Sequence, residues 1–226
     1  INRRLTTACA ALRELDCLLI TFGTAWLYES KETGRVVANC HKLPEKSFLR
    51  RKLSVESIVE DYTSLLSDLF ARNPKLEVIF TVSPIRHVRD GMHANQLSKA
   101  TLLLAIDALQ NNFPGRGFYF PAYELLLDEL RDYRFYAEDM LHPSEVAVRY
   151  LWQRFSHTCF TSQALQIMQE SEDIRKALTH QPFHPSSTED KRFLEQIVLK
   201  IDRLTEKYPY LDFQNEREIC HTRLKA

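Results

Sequence analysis

The sequence predicts an α/β fold built on a parallel sheet, and three features carry that prediction. Two near-continuous apolar runs, Cys17-Leu18-Leu19-Ile20-Thr21-Phe22 and Val78-Ile79-Phe80-Thr81-Val82, read as strands buried on both faces. Each stops at turn residues, Gly23 in the first case and Ser83-Pro84 in the second. Segments of helical period lie between them, and strands that alternate with helices pair in parallel, with helices covering both faces of the sheet.

Along the chain, Leu5, Ala8, Leu12 and Leu15 fall at helical spacing and lead into the first strand. Trp26-Leu27-Tyr28 and Val36-Val37-Ala38 flank Lys31-Glu32-Thr33-Gly34, which predicts a small hairpin. Ser54 caps an amphipathic helix carrying Ile58, Tyr62, Leu65, Leu66 and Leu69, and Asn73-Pro74 ends it. After the second strand and a loop rich in His and Arg, residues 97–109 form another helix, and Phe118-Tyr119-Phe120 a short third strand. A long helix begins at Pro143 and runs through Val146, Tyr150, Trp152 and Phe155. The α/β pattern extends over residues 1–177, and 178–226 form a helical extension. In that extension His180 opens a linker, Ser187 and Asp190 start a helix, and Phe193, Ile197, Ile201 and Leu204 make its apolar stripe, which is expected to pack on its own domain.

Composition narrows the function. The 226 residues are 44% hydrophobic, enough for one full-sized core. The 30 basic and 30 acidic residues cancel, so no global field draws the chain to nucleic acid or to an anionic membrane. A small polar or acyl substrate is the better match. No run reaches the ~20 apolar residues of a membrane span, and the start lacks the layout of a secretory signal, so the expectation is a cytoplasmic protein. Five scattered cysteines, never in a CxxC arrangement, predict free thiols, and no His or Cys pair has metal-ligand spacing. Neither metal nor cofactor is expected. The chain opens at Ile1 without an initiator Met, which suggests an upstream segment.

Three polar clusters terminate the predicted strands and would converge on one sheet edge, where such folds bind ligands. The first is Gly23-Thr24-Ala25-Trp26, with Asn39-Cys40-His41 returning from the hairpin. The second is Ser83-Pro84-Ile85-Arg86-His87, and the third runs from Asp139 through Met140, Leu141 and His142 to Pro143-Ser144. An Asp three residues before a His can fix the imidazole tautomer, leaving the other ring nitrogen to deprotonate a serine. The plainer alternative is that Asp139 caps the following helix and His142 is a loop residue. Gly23 and Thr24 can bring backbone N–H groups to an oxyanion, or serve a tight turn. Asn39 and His41 can touch substrate or satisfy the hairpin. Ser83 lies at the same edge, and Arg86 and His87 can clamp a carboxylate or phosphate or stay solvated.

Six segments together resemble successive blocks of a GSCFA-domain protein: Ile20 to Trp26, Val37 to Lys42, Thr81 to Pro84, Ser98-Lys99-Ala100, Tyr119 to Glu124 and Asp139 to Ser144. That family is grouped with the SGNH (GDSL-like) hydrolases. The resemblance therefore implies a flavodoxin-like three-layer α/β sandwich, cleavage of esters, Asp139 and His142 as acid and base, and Gly23 as the start of an oxyanion block. The family's Gly-Ser pair occurs nowhere in the chain, which implies a nucleophile upstream of Ile1 and an inert fragment. The superfamily's usual Asn is Ala25 here, leaving Thr24, Asn39 or His41 to replace it. The leading expectation is a serine esterase or acyl-transfer enzyme acting on a small-molecule or glycan ester. The alternative is a degenerate binding module for a carbohydrate or acylated ligand. A nucleotide-binding domain is disfavoured by the absence of a glycine-rich loop among five glycines.

Overall fold

The computed structural model of the chain describes residues 13–37, 43–179 and 187–225. The helix expected before Leu15, together with Ala38, Asn39, His41 and the linker opened by His180, lies outside them. The chain divides into two compact units, Ile1–Phe155 and Ser156–Ala226.

The first unit is α/β, as the strand and helix alternation requires. Strand β1 (Cys17–Phe22) leads to β2 (Trp26–Ser30), β3 (Val36–Val37) and β4 (Phe48–Lys52), and then to helix α1 (Val55–Arg72). Strand β5 (Glu77–Val82), helix α2 (Met92–Asn112) and strand β6 (Gly117–Tyr119) follow. The order β1-β5-β6 forms a parallel sheet, with Leu19 opposite Ile79 and Ile79 opposite Phe118. The predicted hairpin is present, with Tyr28 opposite Val37, and β4 adds a third antiparallel strand on its other side. The sequence gives little sign of β4, because Arg50, Arg51 and Lys52 read as solvated charge.

Local chemistry explains most boundaries. The Ser54 hydroxyl accepts the Ser57 N–H at the start of α1, and Asn73 ends that helix. Gly91, at φ 87°, begins α2 five residues upstream of the predicted Leu97, since only a residue without Cβ enters a helix comfortably from that conformation. A helical turn, Ala122–Glu124, passes into a π-helical segment, Leu125–Leu130, that the sequence does not announce. Helix α3 (Glu145–Cys159) starts two residues later than expected, because the Ser144 hydroxyl accepts the Ala147 N–H and takes the cap position from Pro143.

The core sits on one face of the parallel sheet. Phe22, Val78, Phe80 and Val82 are buried there against Ile58, Leu66 and Phe70 of α1 and Leu102, Ala105, Ile106 and Leu109 of α2. On the opposite face Leu19 is 49% and Phe118 41% exposed.

The second unit contains α4 (Ser162–Thr179), α5 (Thr188–Lys207) and α6 (Gln214–Lys225). Helix α4 belongs with the tail rather than with the residues before 178, because Ile174 is buried among Leu194, Ile197, Ile201 and Leu204. Of the predicted stripe, Ile197, Ile201 and Leu204 are buried, while Leu194 takes the interior place expected of Phe193, which is 42% exposed. Cys220 is buried in the same cluster, while Cys17 and Cys159 are exposed. Cys9 and Cys40 lie outside the described residues.

Phe80→Ala is expected to lower unfolding free energy by about 3–5 kcal/mol, whereas Leu19→Ala, on the open face, should stay within about 0.5 kcal/mol. Urea titration of the two variants measures the contrast.

Candidate active site

The loop between the π-helical segment and α3 is organised by one carboxylate. Asp139 Oδ1 accepts the backbone N–H groups of Leu141 and His142 at 2.9 and 3.0 Å, and Oδ2 lies 2.6 Å from His142 Nδ1. Tyr136 and Pro143 bridge as in a hairpin, and Ala137 N–H donates to the His142 carbonyl at 2.8 Å. Met140 takes a left-handed φ of 59°, a strained conformation for a non-glycine residue. The plainer reading of the motif does not describe this geometry, because Ser144 caps α3 and the Asp139 carboxylate is turned to the loop and the imidazole.

The charge on Asp139 is strongly favoured. The backbone N–H of His142, then its ring, then the N–H of Leu141 hold the carboxyl down to about 2. The His142 ring nitrogen facing away from Asp139, Nε2, has no partner among the described residues, and its side chain is 57% exposed. No serine hydroxyl among them is hydrogen-bonded to it.

The three strand-end clusters are joined. Lys99 Nζ donates to the Gly23 carbonyl at 2.7 Å and to the Ser83 carbonyl at 2.6 Å, tying the ends of β1 and β5. Arg86 N–H donates to the Leu141 carbonyl and its guanidinium to the Met140 carbonyl, each at 3.2 Å, which fastens the second cluster to the third. Ser83 Oγ accepts the Ile85 N–H at 3.3 Å and shapes its own turn. Asn39 and His41 lie outside the described residues.

The first cluster offers backbone donors rather than a side chain. Thr24 Oγ1 is engaged by Ser98 Oγ at 3.0 Å and by the Trp26 N–H at 3.2 Å. Ala25 is fully buried and its N–H donates to Ser98 Oγ at 2.8 Å. The N–H groups of Gly23 and Thr24 donate to nothing among the described residues. His87 stands beside them: a Cβ built on Gly23 would lie 3.7 Å from its Nε2. Its backbone N–H is held by Asn95 Oδ1 at 2.9 Å. Burial first, then the charges of Lys99, Arg50 and His142, push the His87 imidazole below its ordinary value and favour the neutral ring.

Sequence reasoning missed Lys99 and Asn95 as site residues. Their signal was present in the helical stripe of α2, which is apolar at Leu102, Ala105, Ile106 and Leu109 but polar at Asn95, Ser98 and Lys99, all buried. A core stripe that turns polar at one end marks the end that meets a site. Among the described residues no group of three or more His, Cys, Asp or Glu side chains could hold a metal ion. No helix among them is long and apolar enough to cross a membrane. A cavity of about 470 Å³ lies in the second unit between Glu170 and Lys207 and has no His, Ser, Thr or Cys in its lining.

A family profile described as the GSCFA family matches residues 1–155, and one described as the GSCFA domain protein, C-terminal domain, matches residues 171–226. No curated protein and no solved structure matches the chain.

Lys99 is 1% exposed and has no carboxylate partner among the described residues, and burial lowers its ammonium to about 8. The unfolded lysine titrates near 10.4, so between these values the native state holds fewer protons than the unfolded one and its stability rises with pH. The stability difference between wild type and Lys99→Met should therefore move in favour of wild type as pH rises from about 8 to 10.5, as followed by denaturant titration at each pH.

Proposed function

The chain belongs to the GSCFA family, and on that premise we propose that it carries the acid–base residues of a serine ester hydrolase of SGNH type, acting on a small-molecule or glycan ester. The Asp139–His142 pair carries the reading: a carboxylate held ionised, 2.6 Å from Nδ1, with Nε2 unpartnered. A dyad so arranged fixes the tautomer that a general base needs.

In this mechanism a serine hydroxyl, expected from the family's Gly-Ser-Cys-Phe-Ala motif, gives its proton to His142 Nε2 as Oγ attacks the ester carbonyl carbon. Asp139 stabilises the imidazolium. His142 then returns the proton to the departing alcohol, and an acyl-enzyme remains. Water, or an acceptor alcohol in an acyl transfer, repeats the sequence through the same ring. The unpaired N–H groups of Gly23 and Thr24, with neutral His87 beside them, are the donors this chain offers to the developing oxyanion.

One observation favours the binding-module alternative. At the place of the superfamily's usual Asn, Ala25 points into the core and supplies no amide, so oxyanion stabilisation rests on backbone donors and His87.

Fluorophosphonate labelling of the protein at its full natural length is expected to mark one serine, with labelling lost in His142→Ala. On an ester that is turned over, His142→Ala should lower kcat by on the order of 10³ or more, and Asp139→Asn by on the order of 10²–10⁴. A folded, full-length protein that takes no label would leave the binding module as the better account.

A further inference from the structure

Beside the catalytic loop a cavity of about 120 Å³ is lined by Arg86, Leu126, Leu127, Arg131, Tyr133 and Tyr136. Pockets for whole ligands span roughly 300–1,000 Å³, so this one has room for a substituent rather than a complete molecule. Its position follows from Arg86, which lines it and also bonds the carbonyl of Met140, the residue following Asp139.

The polar groups around it have no anionic partner among the described residues. Arg86 lies over the Tyr136 ring at 4.0 Å and over Tyr133 at 5.8 Å, yet makes no ion pair among the described residues. Arg131 makes neither a side-chain hydrogen bond nor an ion pair among them. The carboxylate beside it in sequence, Asp132, is turned to the Arg134 N–H at 2.9 Å. Arg131 is held in a left-handed conformation, φ 52°, where its N–H closes the π-helical segment onto the Leu126 carbonyl at 3.1 Å. Tyr136 is 8% exposed, and its hydroxyl is buried without a hydrogen-bond partner. A buried hydroxyl left unsatisfied carries a desolvation cost that a ligand acceptor would remove.

We propose that this cavity is a subsite for a carboxylate on a short aliphatic arm of the ligand, with the Arg86 and Arg131 guanidiniums and the Tyr136 hydroxyl taking the carboxylate and Leu126 and Leu127 taking the arm. Guanidinium is permanently charged and matches the planar carboxylate. The two leucines favour an apolar arm over a second polar group. The subsite itself is independent of the hydrolase reading. Only its assignment as the acid-bearing part of an ester substrate rests on that reading.

The test is calorimetric titration of the full-length protein with glutarate, its neutral diamide glutaramide, and inorganic phosphate. Glutarate is expected to bind saturably and glutaramide not at all. Arg131→Gln, at an exposed position, and Tyr136→Phe should each weaken glutarate at least tenfold while the thermal transition of the protein is retained. His142→Ala should leave glutarate affinity within about twofold, although it abolishes fluorophosphonate labelling. Glutarate binding without labelling keeps the subsite and removes the hydrolase, and labelling without glutarate binding does the reverse. The proposal is overturned by a folded protein that does not bind glutarate, by equal binding of glutaramide, by phosphate binding in place of glutarate, or by an Arg131→Gln variant of unchanged affinity.

Discussion

A lysine with almost no access to water organises the candidate site. Lys99 sits at the polar end of the α2 stripe and spends two of its three N–H groups on main-chain carbonyls, Gly23 at the end of β1 and Ser83 at the end of β5. A buried ammonium without a carboxylate is costly, and burial is what lowers its proton affinity. In return it clamps two strand ends that otherwise have only Ser83 N–H to Phe22 carbonyl between them beyond the sheet. Everything at the edge follows from that clamp. Gly23 presents its N–H, the turn after Ser83 carries Arg86 and His87 outward, and Arg86 reaches the carbonyls of the 139–142 loop.

The dyad loop is built differently. It has no buried core of its own beyond Leu126, Tyr136 and Ala147, and its shape depends on Asp139 accepting three hydrogen bonds at once. One carboxylate therefore sets the backbone and holds the imidazole, which couples the strained Met140 conformation to the orientation of His142. Such coupling suits a residue whose tautomer matters more than its contribution to stability. Arg86 fastens this loop through the carbonyls of Met140 and Leu141 and also lines the cavity shared with Arg131 and Tyr136.

The sequence by itself determined the α/β class, the parallel strands, the cap at Ser54, the tail helix begun at Ser187 and the Asp139–His142 pair. Each is a local property: an apolar run, a period, a capping hydroxyl, or an Asp and a His three residues apart. It misjudged what depends on neighbours in space. Strand β4 is charged and forms only because β2 offers it a ladder, and α4 joins the second unit only because Ile174 finds Leu194 and Ile201. The same packing places Leu194 rather than Phe193 in the interior of α5. The tertiary structure alone decided that Thr24 is occupied by Ser98, that Lys99 and Asn95 belong to the site, and that two arginines and an unpaired tyrosine hydroxyl line one cavity. Those facts depend on contacts between residues 8 to 76 positions apart, and the burial that turns a lysine into a clamp or leaves a hydroxyl without water exists only after the chain has folded.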